Sequence, residues 1–314
     1  MYLVTGGAGF IGSHLAERLA MRGDAVRIFD NFSTGSEANL ATLGGRIEVV
    51  RGDLRDEGAV RRAMAGVSVV FHQAADPSVP RSIADPRSCY DINVLGTLNV
   101  LLAARDAGVR RVVFASSCAV YGDSPVLPKT EQLAPEPASP YAASKLAGEE
   151  LCAVYARVWG LETVALRYFN VYGPRQDPHS AYAPVIPRFL QALLRGERPT
   201  IFGDGGQTRD FVYVGDVVQA NLLAAEAPGV AGRVFNIAAG RSVSLYQLLL
   251  LMADLLGVPA RAEHLPARSG DVRHSAADIR AARQALGFEP LIRLEEGLES
   301  TIAAAQSSLL AGVR

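Results

Sequence analysis

The sequence has few of the residues that mark disulfide-rich, metal-binding or membrane-spanning proteins. It contains only three cysteines in 314 residues, Cys89, Cys118 and Cys152, and their spacing is not of a metal-binding type. This odd number and this spacing argue against a disulfide framework and a zinc site, so we predict no bound metal. No apolar run reaches membrane-spanning length, because the run over 245–256 is short and is interrupted by polar residues.

The chain also has almost no excess of either charge and very few lysines. The net charge is −1, which gives no basic surface of the kind that binds nucleic acid, and we predict no such partner. Lys129 and Lys145 are the only lysines, and every other basic residue is an arginine or a histidine. Met1 leads directly into a strand-and-glycine pattern rather than a signal peptide, so we expect a cytoplasmic protein with no membrane partner.

A dinucleotide-binding motif follows a short apolar strand at residues 2–5. The turn from Gly6 to Gly12 has the sequence GGAGFIG and leads into an amphipathic run over 13–22. Its glycines permit close approach of a pyrophosphate, which the helix N-terminus can bind. The second strand ends in Asp30, whose carboxylate can bind a ribose 2′-hydroxyl and would repel a 2′-phosphate. No basic residue stands near Asp30 in the sequence, so we predict NAD rather than NADP.

Strands and helices then alternate along the chain, which predicts an α/β fold with a doubly wound parallel Rossmann sheet and a smaller mixed α/β domain. Further strands are expected at 47–50, 67–71, 111–115 and 233–237. Long or medium helices are expected at 85–107, 242–256 and 279–286, with a loosely held tail at 306–314. The length favours about two domains. We assign residues 1–174 and 211–240 to a nucleotide-binding domain and residues 175–210 and 241–314 to a substrate domain.

Asp53 and His72 follow the third and fourth predicted strands, where side chains can line a cofactor cleft. Asp53 is interpreted as a cleft residue, with a helix cap as the alternative. For His72 we favour an interior histidine whose hydrogen bonds are satisfied within the protein.

Tyr141 and Lys145 are spaced so that both side chains lie on one face of a helix. Ser139 is suited to cap that helix, and Pro140 suits its first position. A nearby ammonium together with a nearby cofactor charge favours the ionised phenol, so Tyr141 can serve as a base that exchanges a proton with a hydroxyl. The alternative is a half-buried aromatic beside a solvated cation. The scarcity of lysine favours the functional interpretation.

Together these motifs resemble the extended short-chain dehydrogenase/reductase family. The resemblance rests on residues 6–12, Asp30, 52–54, Ser117, Tyr141, Lys145 and the segment RYFNVYGP at 167–174. Within that family the chain is most similar to nucleotide-sugar epimerases of the UDP-glucose 4-epimerase type, over essentially its whole length. The resemblance implies that NAD stays bound and that UDP-glucose and UDP-galactose interconvert through a 4-keto intermediate. It also implies a homodimer that packs through helices near 85–107 and 141–159.

The resemblance assigns residues to three sets. The catalytic set is Tyr141 as the base, Lys145 on the nicotinamide ribose and Ser117 on the reacting oxygen of the sugar. The implied NAD-binding residues are Gly6, Gly9, Phe10, Ile11, Gly12, Asp30, Asn31, Ser33, Thr34, Gly35, Asp53, Leu54, Ala74, Ala75, Asn93, Tyr141, Lys145 and Tyr168. The implied substrate-binding residues are Ser78, Ser117, Tyr141, Asn170, Val185, Phe202, Arg209, Arg268, Asp271 and Ser275.

Several of these assignments have structural alternatives. Arg209 and Arg268 suit a diphosphate, since a guanidinium forms paired charged hydrogen bonds, but both could equally be surface arginines. Phe202 could be a core residue rather than a surface on which the base stacks. Ser275 aligns with a position where a small residue admits N-acetylated sugars and a tyrosine restricts the pocket. We therefore predict activity on UDP-GlcNAc and UDP-GalNAc as well, with loop packing by Ser275 as the alternative.

The sequence also bears on the other activities found in this family. The 4,6-dehydratases of the family carry an Asp-Glu pair directly after the catalytic hydroxyl, and the decarboxylases carry a glutamate two positions after it. Cys118 and Ala119 occupy those positions here, which argues against both reactions. Epimerisation of UDP-glucuronate or of a GDP-sugar is an alternative function that the sequence leaves open. A catalytically silent NAD-binding scaffold is another, although the chain retains the serine, tyrosine and lysine that a scaffold can lack.

Overall fold

A parallel sheet of seven strands forms the centre of the protein. The computed structural model describes residues 1–177, 184–267 and 273–312, with side chains through residue 307. The sheet contains β1 (Tyr2–Thr5), β2 (Val26–Asp30), β3 (Ile47–Arg51), β4 (Val69–His72), β5 (Arg111–Ser117), β6 (Glu162–Tyr168) and β10 (Arg233–Ile237). Their order is β10-β6-β5-β4-β1-β2-β3, and every neighbouring pair is parallel. The order reverses between β1 and β4, which opens a crevice at the carboxyl edge. The predicted fold class is confirmed.

Helices cover both faces of this sheet. One face carries α1 (Phe10–Met21), α8 (Val214–Glu226) and α10 (Arg280–Leu286), and the other carries α2 (Glu57–Ala63), α5 (Gly96–Asp106) and α6 (Pro140–Trp159). Neighbouring strand residues face opposite sides, so Val4 packs with the first group and Leu3 with the second. Both side chains are at most 1% exposed. Each such buried aliphatic side chain stabilises the fold by about 1.5–3 kcal/mol.

The remaining elements build two small sheets and a separate apolar cluster. The three-stranded sheet has the order β11 (Ser242–Ser244), β9 (Thr208–Tyr213), β7 (Asn170–Tyr172), and the two-stranded sheet pairs β12 (Glu263–Leu265) with β8 (Thr200–Phe202). Helices α7 (Val185–Leu194), α9 (Leu245–Leu256) and α11 (Leu294–Gly312) contribute to an apolar cluster with these strands. This cluster fits the predicted substrate domain, whose boundaries stay a prediction.

Two predicted segments differ from the structure. The expected helix over 85–107 is instead α4 (Pro86–Tyr90), a π-helical turn (Asp91–Leu95) and α5, preceded by the separate helix α3 (Val79–Ala84). A π turn contains one residue more than an α turn, and periodicity does not reveal such an insertion. The tail expected at 306–314 is helical in its described part, because α11 continues to Gly312, and its loose attachment stays a prediction. Ile302 of α11 is buried in the small apolar cluster, which anchors the preceding turns of the helix.

No helix in the described parts of the chain is long and apolar enough to cross a membrane.

Candidate active site

The glycine turn after β1 has the geometry that a bound pyrophosphate requires. Gly6 has a φ of 67°, and a Cβ on it would lie 2.7 Å from the amide nitrogen of Ala74. A Cβ on Gly12 would lie 2.1 Å from the carbonyl oxygen of Gly6. Gly9 precedes α1 and provides no side-chain cap, so the first amides of the helix face the cleft without a capping group. This turn fits the phosphates of a dinucleotide.

Asp30 lies at the end of β2, directly beside this turn. Its two carboxylate oxygens accept hydrogen bonds from the amides of Ala8 at 2.9 Å and Phe32 at 2.8 Å. The expectation that no basic residue is near Asp30 is wrong, since Arg51 is its register partner on β3. The Arg51 guanidinium lies 4.2 Å from the Phe32 ring centroid and pairs with Glu37. A carboxylate already neutralises this cation, so its presence does not overturn the preference for NAD.

A cleft of about 480 Å³ runs along the carboxyl edge of the sheet from the glycine turn to Tyr141 and Lys145. The predicted site residues that line it are Gly6, Gly9, Phe10, Ile11, Gly12, Asp30, Asn31, Ser33, Thr34, Asp53, Leu54, Ala74, Ala75, Tyr141, Lys145 and Tyr168. Gly35 instead packs against Ala8 of the turn, because a Cβ on it would lie 2.8 Å from the Ala8 side chain. The structure thus brings residues from five separate strand ends and from α6 to one cleft.

The cleft also contains residues that the motifs did not single out. Asp76 and Arg81 line it and form an ion pair at 2.7 Å. Gln73 lines it too, and its amide donates to the Tyr168 hydroxyl at 3.1 Å and to Asn221 at 3.0 Å. All three positions lie in or after the loop that follows β4, so their place at a parallel strand end was the signal available in the sequence.

The contacts of two residues decide between the alternative interpretations given to them. His72 is 1% exposed, and its ring nitrogens contact the hydroxyls of Thr5 at 2.7 Å and Thr97 at 3.0 Å. The interior interpretation of His72 is confirmed. Asp53 does not cap α2, whose cap is Asp56. It instead lines the cleft and accepts a hydrogen bond from Asn31 at 3.0 Å.

Helix α6 begins as the sequence predicts. The Ser139 hydroxyl accepts a hydrogen bond from the Ala142 amide at 3.1 Å, and Pro140 occupies the first turn. Lys145 is 5% exposed, and its ammonium donates to the Ala115 carbonyl at 2.8 Å and lies 5.9 Å from the Tyr141 ring centroid. Ser117 ends β5 and hydrogen-bonds with the Tyr141 hydroxyl. Tyr141 and Lys145 therefore lie at one end of the cleft, and Ser117 adjoins Tyr141 without lining the cleft itself.

Burial controls the acid–base properties of this group. Burial raises the pKa of Tyr141 to about 12, against a smaller lowering by the Ser117 hydrogen bond. Burial also lowers the pKa of Lys145 to about 8. Desolvation of the buried phenol dominates, and the Lys145 ammonium is bonded to a backbone carbonyl. That Lys145 and a cofactor charge together favour the ionised phenol stays a prediction.

Asn93 lies in the π-helical turn and behind the cleft lining. It is 3% exposed, its side-chain oxygen accepts from the Asp76 amide at 2.8 Å, and its amide nitrogen donates to the Ser144 hydroxyl at 3.0 Å. Ser144 in turn donates to the Tyr141 carbonyl at 2.7 Å. Asn93 thus joins the loop after β4 to the catalytic helix, and its predicted contact with the cofactor stays a prediction.

Several predicted substrate residues converge on the three-stranded sheet. Asn170 of β7 is the register partner of Phe211 on β9, which also carries Arg209. The Ser275 amide donates to the Thr208 carbonyl at 3.1 Å, so Ser275 lies next to Arg209 in space. The Arg209 charge also acts on the thiol of Cys118, which follows Ser117. Asn170, Arg209 and Ser275 therefore lie on or beside the three-stranded sheet, and the Arg209 charge reaches the residue that follows Ser117.

The other predicted substrate residues are more dispersed. Ser78 caps α3 by accepting from the Arg81 amide at 3.2 Å, Val185 begins α7, and the Phe202 ring centroid lies 5.8 Å from the Arg188 guanidinium carbon. Arg268 and Asp271 lie outside the described residues. The binding assignments of all these residues stay predictions.

Comparison with known proteins agrees with this geometry. A family model, the NAD dependent epimerase/dehydratase family, matches residues 2–238. A UDP-glucose 4-epimerase of Mycolicibacterium smegmatis is 43% identical over 96% of this chain and 96% of its own length. The crystal structure of a Thermotoga maritima UDP-glucose 4-epimerase with UDP-glucose has a TM-score of 0.93 at 40% identity, covering 98% of this chain and 99% of that one.

Other similar proteins differ in their sugars. A UDP-N-acetylglucosamine 4-epimerase of Methanobrevibacter ruminantium, in complex with UDP-N-acetylmuramic acid, has a TM-score of 0.94 at 39% identity, covering 98% of both chains. A UDP-glucuronate 4-epimerase of Thermodesulfobacterium geofontis is 34% identical over 96% of this chain and 94% of its own length. A Thermus thermophilus UDP-glucose 4-epimerase in complex with NAD has a TM-score of 0.89 at 39% identity, covering 98% of this chain and 99% of that one.

The chain belongs to the NAD-dependent epimerase/dehydratase family. Its cofactor is NAD. Its enzyme class is that of the NAD-dependent sugar-nucleotide epimerases.

Proposed function

We propose that the protein is a 4-epimerase that interconverts UDP-glucose and UDP-galactose through a 4-keto intermediate. The observation that carries the proposal is the placement of Tyr141 and Lys145 at the end of the cofactor cleft, with Ser117 hydrogen-bonded to Tyr141. The relatives named UDP-glucose 4-epimerase support the choice of sugar.

Each residue of the group has a distinct part in this reaction. Tyr141 removes the proton from the sugar 4-hydroxyl and later returns it. NAD, when bound, would supply the hydride acceptor and donor for the sugar carbon. Ser117 hydrogen-bonds with the reacting oxygen, and Lys145 binds the nicotinamide ribose. Arg209 holds the diphosphate, which anchors the substrate by a part remote from the reacting carbon.

The acid–base balance of Tyr141 fits an enzyme that works only with its cofactor. The protein by itself raises the pKa of Tyr141, so the phenol keeps its proton. The oxidised nicotinamide ring carries a positive charge that would favour the phenolate when it lies nearby. The base is therefore activated by the cofactor that the reaction needs.

Ser275 supports a wider substrate range. Its side chain is small, and its backbone pairs with Thr208 beside Arg209. A small residue there leaves room for an N-acetyl group, so we propose that UDP-GlcNAc and UDP-GalNAc are also substrates. The related UDP-N-acetylglucosamine 4-epimerase supports this extension.

We also propose that the protein forms a homodimer through the helices between residues 79 and 159. Ile83, Leu95 and Trp159 on these helices are 63%, 52% and 48% exposed. Burial of such apolar side chains in a second copy would stabilise a dimer. Sedimentation equilibrium distinguishes a dimer of 33.3 kDa chains from a monomer.

Proton NMR of the anomeric signals tests the activity directly. The purified protein is incubated separately with UDP-galactose and UDP-GalNAc, without added cofactor. Conversion of both is expected, since NAD stays bound. Conversion of UDP-galactose alone contradicts the wider range. If neither changes even after NAD is added, the UDP-hexose assignment is wrong, and UDP-glucuronate and GDP-sugars are tested next.

A further inference from the structure

A buried ion pair lies directly behind the catalytic group. Glu149 and Arg167 are each 4% exposed, and Arg167 donates to both Glu149 oxygens, at 2.9 Å from Nε and 2.7 Å from Nη2. The Ser116 hydroxyl donates a short hydrogen bond to the same carboxylate. Glu149 lies one helical turn beyond Lys145 and two beyond Tyr141, on the same side of α6.

The pair holds three elements together at the catalytic edge. Ser116 and Arg167 are register partners on β5 and β6, and the next partners are Ser117 and Tyr168. Glu149 therefore links both strands one residue before Ser117 and Tyr168. Lys145 makes a second link of this kind through the Ala115 carbonyl. Together the two links set the position of α6, and hence of Tyr141, relative to Ser117.

Stability alone does not require charges at this place. A buried ion pair contributes little net stability compared with apolar residues of similar size, because both charges lose their hydration. Within the described residues, Nη1 of Arg167 has no hydrogen-bond partner although it is buried. The Arg167 guanidinium carbon lies 4.7 Å from the Tyr121 ring centroid, which offsets only part of that loss. A functional reason for the pair is therefore favoured.

We propose that Glu149 and Arg167 are positioning residues for the epimerase reaction. The pair fixes Ser117 and Tyr168 relative to Tyr141. Because the two charges neutralise each other, the pair also leaves no unpaired guanidinium near Lys145. This inference rests on the proposed function. The groups facing Lys145 are Glu149 on its own helix, Cys89 from α4, His72 from β4 and the phenol of Tyr141. Glu149 is the carboxylate among them, and Arg167 neutralises it. Loss of Glu149 alone would leave Lys145 near an unpaired guanidinium.

Two variants separate positioning from folding. Glu149→Gln retains an oxygen that can accept from Ser116 but removes the negative charge. The double variant Glu149→Leu with Arg167→Met replaces the pair with apolar residues of similar length, so neither charge is left unpaired. Glu150→Gln is the control, because Glu150 is the next residue of α6 and is exposed.

The measurements are kcat and KM for UDP-galactose, the thermal midpoint and the titration of Lys145. Lysine labelled with ¹³C gives side-chain signals from only two residues, Lys129 and Lys145, so the titration needs no activity. We expect Glu149→Gln to move the Lys145 midpoint to lower pH and to reduce kcat about 10- to 100-fold, with KM nearly unchanged. We expect the double variant to melt near the wild-type temperature with kcat still reduced at least tenfold, and the control to match wild type.

Recovery of wild-type kcat in the double variant would overturn the positioning proposal. An unchanged Lys145 titration in Glu149→Gln would overturn its electrostatic part. If the wild-type protein turns over no nucleotide sugar, the proposed function fails, while the Lys145 titration still decides whether Glu149 balances that site.

Discussion

The addition of a single methyl group at Gly148 should lower the catalytic rate far more than it lowers the stability of the fold. This glycine lies in α6 between Lys145 and Glu149 and packs against Phe114 of β5. A Cβ on it would lie 2.3 Å from the Phe114 ring. An ordinary contact of about 3.5 Å requires the two groups to separate by about 1.2 Å. Phe114 is 2% exposed and lies 5.2 Å from the Lys145 ammonium, so movement of either partner disturbs the catalytic group.

The two effects of Gly148→Ala on stability oppose each other. Alanine favours the helix by about 1 kcal/mol relative to glycine, whereas overpacking costs about 1–3 kcal/mol. A displacement of about 1 Å at the reacting groups lowers the rate about 100-fold. We therefore expect kcat to fall about 100-fold while the free energy of unfolding falls by about 2 kcal/mol or less.

The assay compares kcat for UDP-galactose with urea denaturation of the same protein. Gly58→Ala is the matched control, because Gly58 is an exposed glycine of α2 and a Cβ on it would lie 3.3 Å from the mobile end of Arg62. The reasoning is refuted if Gly148→Ala folds and retains kcat within about twofold of wild type, since that change in rate corresponds to only about 0.4 kcal/mol.

The other predictions concern the residues of the catalytic group and the sugar pocket. Tyr141→Phe should lower kcat about 10²- to 10⁴-fold, because the base is lost, while the NAD content measured after denaturation stays unchanged; retained turnover would remove Tyr141 from this role. Ser275→Tyr should lower kcat/KM for UDP-GalNAc about 10- to 200-fold more than for UDP-galactose, and equal losses on both would contradict the pocket proposal. The rate should also fall as pH rises through about 8, since burial lowers the pKa of Lys145 to about 8 and its cationic form is the active one. A pH profile of kcat that stays flat to pH 9.5 would count against a required Lys145 cation.

The site is built on a network of buried polar contacts rather than on side chains that project from loops. Lys145, Asn93 and Glu149 are each at most 5% exposed, and each bonds to a different element. Removal of one partner leaves a buried polar group unpaired, so changes here should affect stability as well as rate. The apolar double replacement of Glu149 and Arg167 leaves neither charge unpaired and removes only the acceptor of the Ser116 hydroxyl, which makes it the informative variant.

The sequence by itself determined the features that depend on interactions between residues close in the chain. The glycine turn, the Asp30 position, the cap by Ser139 and the i, i+4 pair of Tyr141 and Lys145 all depend on residues close in the chain. Strands alternating with helices likewise determined a doubly wound parallel sheet. These features follow from backbone sterics, capping and hydrophobic periodicity, which act over a few residues.

Only the tertiary structure decided which distant residues share an environment. Strand pairing placed Arg51 beside Asp30, and packing of α6 on β5 and β6 joined Glu149 to Arg167. The π turn in the segment after Pro86 became visible only in the folded helix, where Asn93 bonds to Asp76 and Ser144. The sign of the Tyr141 pKa shift depended on the same packing, because desolvation is set by all the atoms that surround the phenol. The spacing of Tyr141 and Lys145 specified which groups meet, while burial in the fold decided how they ionise.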